Sequence, residues 1–227
     1  MKNAAAIILA AGLGKRMKSD IPKVLHTVAG RPMPFYPIEV VKDLGIEKVV
    51  IVVGHKGDEV INTLQEVRSQ ESGVRSQNKS QIQFVKQEPQ LGTGHAVLCT
   101  EDSLKDWKDN VLILSGDVPL ITRETIMGLM GLHTKKKAAI SFISTVVADP
   151  SGYGRVIRNK SGSVVRIVED KDAGAREKAV NEINTGIYCI NAPFLFSGLK
   201  NIKKENAQGE YYLPDLIGMA VKEKHKV

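Results

Sequence analysis

Apolar residues along this chain come in short runs, separated by segments in which they recur every three or four positions. The runs Ala4–Ala10, Lys48–Val53, Ile82–Val85, Val111–Ser115 and Ala138–Val146 are short and mostly rich in β-branched residues, so each predicts a strand. Between them, helical spacing predicts helices over Phe35–Lys42, Asp58–Arg68, Gly94–Leu104 and Thr122–His133, the last opened by Thr122 as its cap. This alternation predicts βα units around a largely parallel sheet from Met1 to about Val147. In an open sheet of that kind ligands sit beyond the carboxyl ends of the strands, so the loops after Ala10, Val53, Val85 and Ser115 should face one cleft.

After Val147 the pattern changes to hairpin signals. A Pro-Ser-Gly turn precedes Arg155–Arg158, a second turn at Asn159–Gly162 follows, and Val164–Val168 returns. A helix over Ala173–Ala179, a strand over Ile183–Ile190 and helices over Ala192–Leu199 and Leu213–Lys222 complete the prediction. The reading is one α/β domain in which residues 1–147 form the ligand-binding part and residues 148–227 a smaller cover of hairpins and helices. Within the first part, Val67-Arg-Ser-Gln70 recurs as Val74-Arg-Ser-Gln77 in a Ser/Gln/Asn-rich stretch. Residues 66–81 therefore read as a flexible surface insertion without chemistry.

At 227 residues the chain can bury one large core. No apolar run reaches the roughly eighteen residues of a membrane span, and no cleavable leader is recognisable, so a cytoplasmic protein is expected. Cys99 and Cys189 lie far apart in apolar surroundings without metal-binding spacing, and they read as buried free thiols. The net charge of +7 fits an anionic small molecule or nucleic acid. Much of it comes from Lys135-Lys-Lys137 and the tail Lys222–Lys226, which read as solvated helix ends, so nucleic acid is not an expected partner.

The loop after the first strand, Ala11-Gly-Leu-Gly-Lys-Arg-Met17, carries glycines and cations. It lacks the Gly-Lys-Ser/Thr spacing of a Walker loop. A dinucleotide fingerprint fails as well, because Met17 stands where the third glycine is required and Gly54-His55 where an acidic residue should end the second strand. What remains is either a structural turn or a polyphosphate loop. In the second case Gly12 and Gly14 admit the backbone to a triphosphate, Arg16 is a forked donor and Lys23 a point charge. Asp117, just past the strand ending at Ser115, is either a turn residue or a carboxylate for a magnesium ion bridging phosphates. Both features at neighbouring strand ends favour phosphoryl-transfer chemistry.

These residues and others carry a resemblance. Leu9-Ala-Ala-Gly-Leu-Gly-Lys-Arg-Met17, Ile21–His26, Gln90–Ala96, Gly116-Asp-Val-Pro119, Gly152–Arg155, Val168–Asp172, Glu182–Gly186 and Asn206–Tyr212 occur in order over nearly the whole chain. The chain resembles the sugar-1-phosphate nucleotidyltransferases, and within them the uridylyltransferase domain of the bacterial bifunctional enzymes acting on N-acetylglucosamine-1-phosphate. The resemblance implies a Rossmann-like, GT-A-like nucleotidyltransferase fold and magnesium-assisted condensation of UTP with N-acetylglucosamine-1-phosphate, giving UDP-N-acetylglucosamine for cell wall biosynthesis and pyrophosphate. By position it implies that Leu9, Ala10 and Gly12 meet the uridine and its phosphates, and that Gln87, Gln90, Gly92 and Thr93 read the uracil. Gly154, Glu169, Asn184 and Tyr211 would hold the amino sugar, with Arg16 and Lys23 as catalytic cations and Asp117 on the metal. His26 and His95 read as structural or nucleotide-shell residues, because an anionic sugar phosphate needs no general base. Trp107 and Tyr36 read as packing residues.

Two departures from the family pattern stand out. Ser115 sits where the family often has tyrosine, which loosens the expectation on sugar choice. The residues also reach Val227 before the asparagine that in the family joins the aspartate on magnesium, and no period-six repeat of the left-handed β-helix acetyltransferase domain appears. Acetyl transfer is therefore not expected of this chain. Its oligomeric state stays open, a monomer being consistent, since the family's trimer contacts lie largely in that further domain. Two alternatives to the uridylyltransferase reading remain: another sugar or nucleotide in the same reaction, and a nucleotide-sugar binding module without turnover.

Overall fold

The computed structural model describes residues 4–12, 14, 17, 19–71 and 81–227, with Arg68, Gln70 and Glu71 described by their backbone alone. Ten strands are described: β1 (Ala4–Ala10), β2 (Thr27–Val28), β3 (Arg31–Pro32), β4 (Lys48–Val53), β5 (Gln81–Lys86), β6 (Asn110–Ser115), β7 (Ile140–Val146), β8 (Arg155–Arg158), β9 (Val164–Val168) and β10 (Glu182–Asn191). Seven α-helices accompany them: α1 (Phe35–Asp43), α2 (Gly57–Glu71), α3 (Thr93–Leu98), α4 (Arg123–Lys136), α5 (Ala175–Lys178), α6 (Ala192–Leu199) and α7 (Asp215–Lys222).

Strands β5, β4, β1 and β6 lie side by side and parallel, with Ala10 opposite Val53 and Leu9 opposite Ser115. Their apolar residues alternate between two faces, because successive side chains of a strand point to opposite sides. Ala5, Ile7, Val50, Val52, Val111 and Ile113 share a core with Val97 of α3, Leu195 and Leu199 of α6 and Leu216 of α7. Ala6, Ile8, Val49, Ile51, Leu112 and Leu114 pack with Ile38 of α1, Leu64 of α2 and Ile126 of α4. A sheet covered by helices on both faces explains why these strands read as continuous apolar runs rather than alternating ones.

The residues after Val147 do more than cover this sheet. β10 enters it, antiparallel to β6 on one side and to β7 on the other, and also meets β8 of the β8–β9 hairpin. Its run from Ile187 to Ile190 is buried throughout, a demand that the interior of a sheet satisfies and a surface lid does not. Because β10 runs against β6, its beginning at Glu182–Asn184 lies toward the carboxyl edge of the parallel strands.

Smaller differences have local causes. The helix expected over Gly94–Leu104 divides into α3 and a 3-10 turn at Asp102–Leu104. Its continuity ends where Thr100 bonds Val97 O with both its amide (3.0 Å) and its hydroxyl (2.7 Å). The strand expected from Ala138 begins at Ile140, since Lys137 turns into the left-handed region (φ +51°) to end α4. α5 is shorter than the Ala173–Ala179 expected. Helix α2 runs to Glu71 and β5 opens at Gln81, so the expected insertion at 66–81 falls largely outside the described residues. No described helix is long and apolar enough to cross a membrane.

Candidate active site

The carboxyl ends of β1 and β6 are tied together where Gly116 N donates to Leu9 O at 2.8 Å. Residues leaving the two strands therefore share one spot, a cavity of about 380 Å³. Leu9, Gly12, Gly14 and Lys23 line it from the first loop, Ser115 and Asp117 from the second, and Thr93 from the start of α3. Gly14 adopts φ +60°, the left-handed region that suits glycine. Lys23 Nζ and the Asp117 carboxylate form a direct ion pair, neither fully exposed nor fully buried. The expected neighbours Gly12, Gly14, Lys23 and Asp117 are thus brought together, while Arg16 lies outside the described residues.

The next wall is the loop before α3. Gln90 Nε2 donates to Ala11 O, joining this loop to the end of β1. Gln87, only 4% exposed, uses its amide nitrogen on Gly92 O (2.9 Å) and His95 Nδ1 (3.2 Å). Its carbonyl oxygen is left as the group to offer a ligand. Gly92 has φ +99° and ψ 176°, a region essentially restricted to glycine. A methyl group there would also come within 2.7 Å of Tyr211 O. The Thr93 hydroxyl accepts from Leu213 N at 3.1 Å. Ala10 is buried at the end of β1, in the core it shares with Ile38 and Ile126, and does not line the cavity. Burial holds His95 below the ordinary imidazole range, so it is a neutral supporting group here.

On the other side, β10 brings three of the four expected sugar residues together. Gly154 O accepts from Asn184 N at 2.8 Å, and a methyl group on Gly154 would come within 3.1 Å of Glu169 Oε1. The Asn184 side chain is held at both ends, donating to the Tyr188 hydroxyl (2.6 Å) and accepting from Gly186 N (3.1 Å). Gly186 in turn lies against Ser115 Oγ, which connects this group to the cavity. Tyr211, the fourth, is tied to the loop before α3 instead. Its amide donates to Leu91 O (2.8 Å), its carbonyl accepts from Gly94 N (2.7 Å), and its ring lies 6.3 Å from that of His95.

The environment of Glu169 is acidic. Burial, with the Asp215, Asp172, Asp170 and Glu210 carboxylates around it, pushes its carboxyl above the usual range. Asp215 is pushed up to about 6 by burial and Asp172. The Tyr188 and Tyr212 hydroxyls are raised, burial being the first cause for both. Arg155, 2% exposed, offsets some of this charge through a 2.9 Å ion pair with Asp170. Sequence reasoning missed Asp215, Tyr188 and Arg155 as parts of this site. Tyr188 lies within an apolar strand and Asp215 at a helix start, positions where tyrosine and aspartate are ordinary.

Among the described residues no three metal-ligating side chains converge. One carboxylate, Asp117, beside a polyphosphate-sized cavity is a donor set for magnesium, which commonly takes one or two carboxylates and completes its shell with water and phosphate oxygens. It does not suit a metal that requires a protein cage. Trp107 donates to Asn110 O at 3.2 Å and packs on the core, and Tyr36 donates to Val28 O, so both are structural. Cys189 is buried, its thiol pushed up to about 12.

Comparison with known proteins agrees with this arrangement. The family model described as nucleotidyl transferase matches residues 5–227. Bifunctional protein GlmU of Thermoanaerobacter pseudethanolicus is 46% identical over 217 residues, which is 96% of this chain and 44% of that protein. The protein of the same name from Geotalea daltonii is 44% identical over 224 residues, covering 99% of this chain and 46% of the relative. The chain thus spans about half the length of the curated relatives it matches. A crystal structure of UDP-glucose pyrophosphorylase complexed with UDP-glucose superimposes with a TM-score of 0.76 at 20% identity, covering 99% of this chain and 89% of that one, a likeness of fold. With the family's model matching from β1 through α7 and the glycine loop meeting Asp117 at adjoining strand ends, this chain belongs to the nucleotidyl transferase family.

Proposed function

We propose that the chain condenses UTP with N-acetylglucosamine-1-phosphate to UDP-N-acetylglucosamine and pyrophosphate. The observation that carries the reading is the polarity of the site. Lys23 and the glycine loop stand at one end, and the Glu169–Asp215 carboxylates at the other. A sugar phosphate has the complementary polarity. Its hydroxyls donate to carboxylates, while its phosphate is repelled by them and drawn to the cations.

The sugar phosphate is an anion at neutral pH, so attack on the α-phosphorus of UTP requires no general base. One of its oxygens forms the new bond to phosphorus as the bond to the leaving pyrophosphate breaks. The barrier is largely repulsion between anions and charge growing on the leaving group, which positioned cations oppose. Lys23 and Arg16 take that role. In the free protein Lys23 is neutralised by Asp117, and phosphate oxygens compete for it, leaving the carboxylate to a cation. Asp117 would hold a magnesium ion, which when bound supplies charge neutralisation across the phosphate oxygens. Gln87 accepts from the uracil N–H through its free carbonyl oxygen, and Gln90, Gly92 and Thr93 complete that wall. Leu9 flanks the uridine, with Ala10 buried behind that wall, while Gly12 and Gly14 admit the phosphates. Gly154, Glu169 and Asn184 hold the amino sugar, and Tyr211 closes the join between the two walls.

The test is pyrophosphate release from UTP and N-acetylglucosamine-1-phosphate with magnesium. Release with that pair, well above the rate with thymidine triphosphate and glucose-1-phosphate, is the expected result. The absence of release, with UDP-N-acetylglucosamine still bound, would overturn the enzyme reading in favour of a binding module.

A further inference from the structure

The two basic runs that dominate the net charge, Lys135–Lys137 and Lys222–Lys226, play no part in the chemistry above. They lie some ninety residues apart in sequence, yet the fold joins them: Ala139 N, two residues beyond Lys137, donates to Lys226 O at 3.0 Å. Around this junction lies a second cavity, of about 410 Å³. Asn110 lines it and pairs with Ala4 at the start of β1, so the cavity opens at the amino edge of the parallel strands. Six residues of β6 separate it from the Asp117 loop, about 20 Å of strand.

We propose that this cavity is a second binding site, for a small phosphorylated anion. Lys137, Lys226 and His225 line it, and no carboxylate does. Neither lysine pairs with a carboxylate among the described residues, while His225 Nε2 lies 3.4 Å from Glu223. A helix carboxyl end repels an anion, but two of the last carbonyls of α4 are engaged. His133 O and Thr134 O accept from Lys137 N, and Ala138 N also reaches His133 O at 3.1 Å. The amino end of α6, capped by Asn191 at the cavity wall, contributes the favourable end of a helix dipole.

The cavity is built rather than incidental. His133 is 2% exposed and is fixed by Ser141 Oγ (3.0 Å) and Asn110 Oδ1 (3.2 Å). Burial keeps its imidazole below the ordinary range, so it adds a neutral polar surface rather than a further charge. Phe194 packs edge-on against the His225 ring, with centroids 5.2 Å apart, and supplies an apolar flank. A concave site of small-molecule size with cations at its rim fits a phosphorylated metabolite. A nucleic-acid surface would instead need a long basic track with exposed stacking rings.

Isothermal titration with inorganic pyrophosphate tests this, with UDP-N-acetylglucosamine present so that the cleft keeps only its pyrophosphate position open, and with magnesium omitted. The comparison is between the unaltered protein, K137A/K226A, and K135A/K136A, which removes equal charge from outside the lining. Besides binding at that position a second saturable site is expected, weakened about tenfold or more by K137A/K226A and changed less than about twofold by K135A/K136A. Absence of the second site, or equal losses in the two double variants, would overturn the proposal. So would tighter binding of a single-stranded oligonucleotide than of pyrophosphate, lost equally in both variants, which would assign the charge to nucleic acid. Should UDP-N-acetylglucosamine fail to bind, the proposed function falls, while the contrast between the two variants still decides this site.

Discussion

The two ends of the cleft, to which the proposed function assigns the phosphates and the sugar, are built in opposite ways. The phosphate end is made of backbone: glycines at the ends of parallel strands, with one lysine and one aspartate set among them. The sugar end is made of side chains in an interlocked, half-buried set, where Tyr188 holds Asn184 and Asp215 bears on Glu169. Backbone geometry is inherited from the sheet, so the first end tolerates few substitutions at glycine. A side-chain network can be loosened one bond at a time, so the second end should respond in smaller, separable steps.

The largest effect is expected at the phosphate end. Asp117→Asn should lower turnover by about a hundredfold or more, as loss of a charge-stabilising group typically does, while UDP-N-acetylglucosamine binding changes little. Steady-state rates set beside equilibrium titration measure both, and equal losses would count against the metal assignment. Gly92→Ala forces a side chain into a glycine-only conformation and against Tyr211 O. A stability loss of about 2 kcal/mol by urea denaturation is expected, with a raised KM for UTP.

At the sugar end, Tyr188→Phe removes the hydroxyl that accepts from Asn184. It should cost about 1 kcal/mol of stability and raise KM for the sugar phosphate several-fold, leaving KM for UTP unchanged. A shift in both KM values would erase the distinction between the two ends. The last effect concerns stability against pH rather than turnover. With Asp215 pushed from 3.8 up to about 6, the folded protein holds a proton that the unfolded chain has released between those values. Stability should therefore fall as pH rises through that window, and Asp215→Asn should flatten the slope in urea titrations at several pH values.

How legible each end was follows from its construction. The strands Ala4–Ala10 and Lys48–Val53 emerge with the boundaries read from their apolar runs, while local spacing made the loop after the first and Asp117 candidates and left a structural turn open for each. That the two strands are neighbours agrees with the sequence reading, but the direct pairing of Lys23 with Asp117 depends on how two loops are placed in space, which spacing does not reveal. At the sugar end, Glu169 and Asn184 entered by resemblance. Asp215 and Tyr188 carried no signal, and Arg155 stood in a resembling motif without a role, because a buried charge network is defined by what converges in space.

By itself, then, the order of residues determined the strands and helices, the glycine loop and the candidate ligands at strand ends, since all of these depend on neighbours a few positions apart. Only the tertiary structure decided that β10 enters the sheet, that Asn184 reaches Ser115 through Gly186, and that two lysine runs meet around one cavity. These depend on packing between distant segments, where burial and charge are set by the whole fold rather than by any one stretch of it.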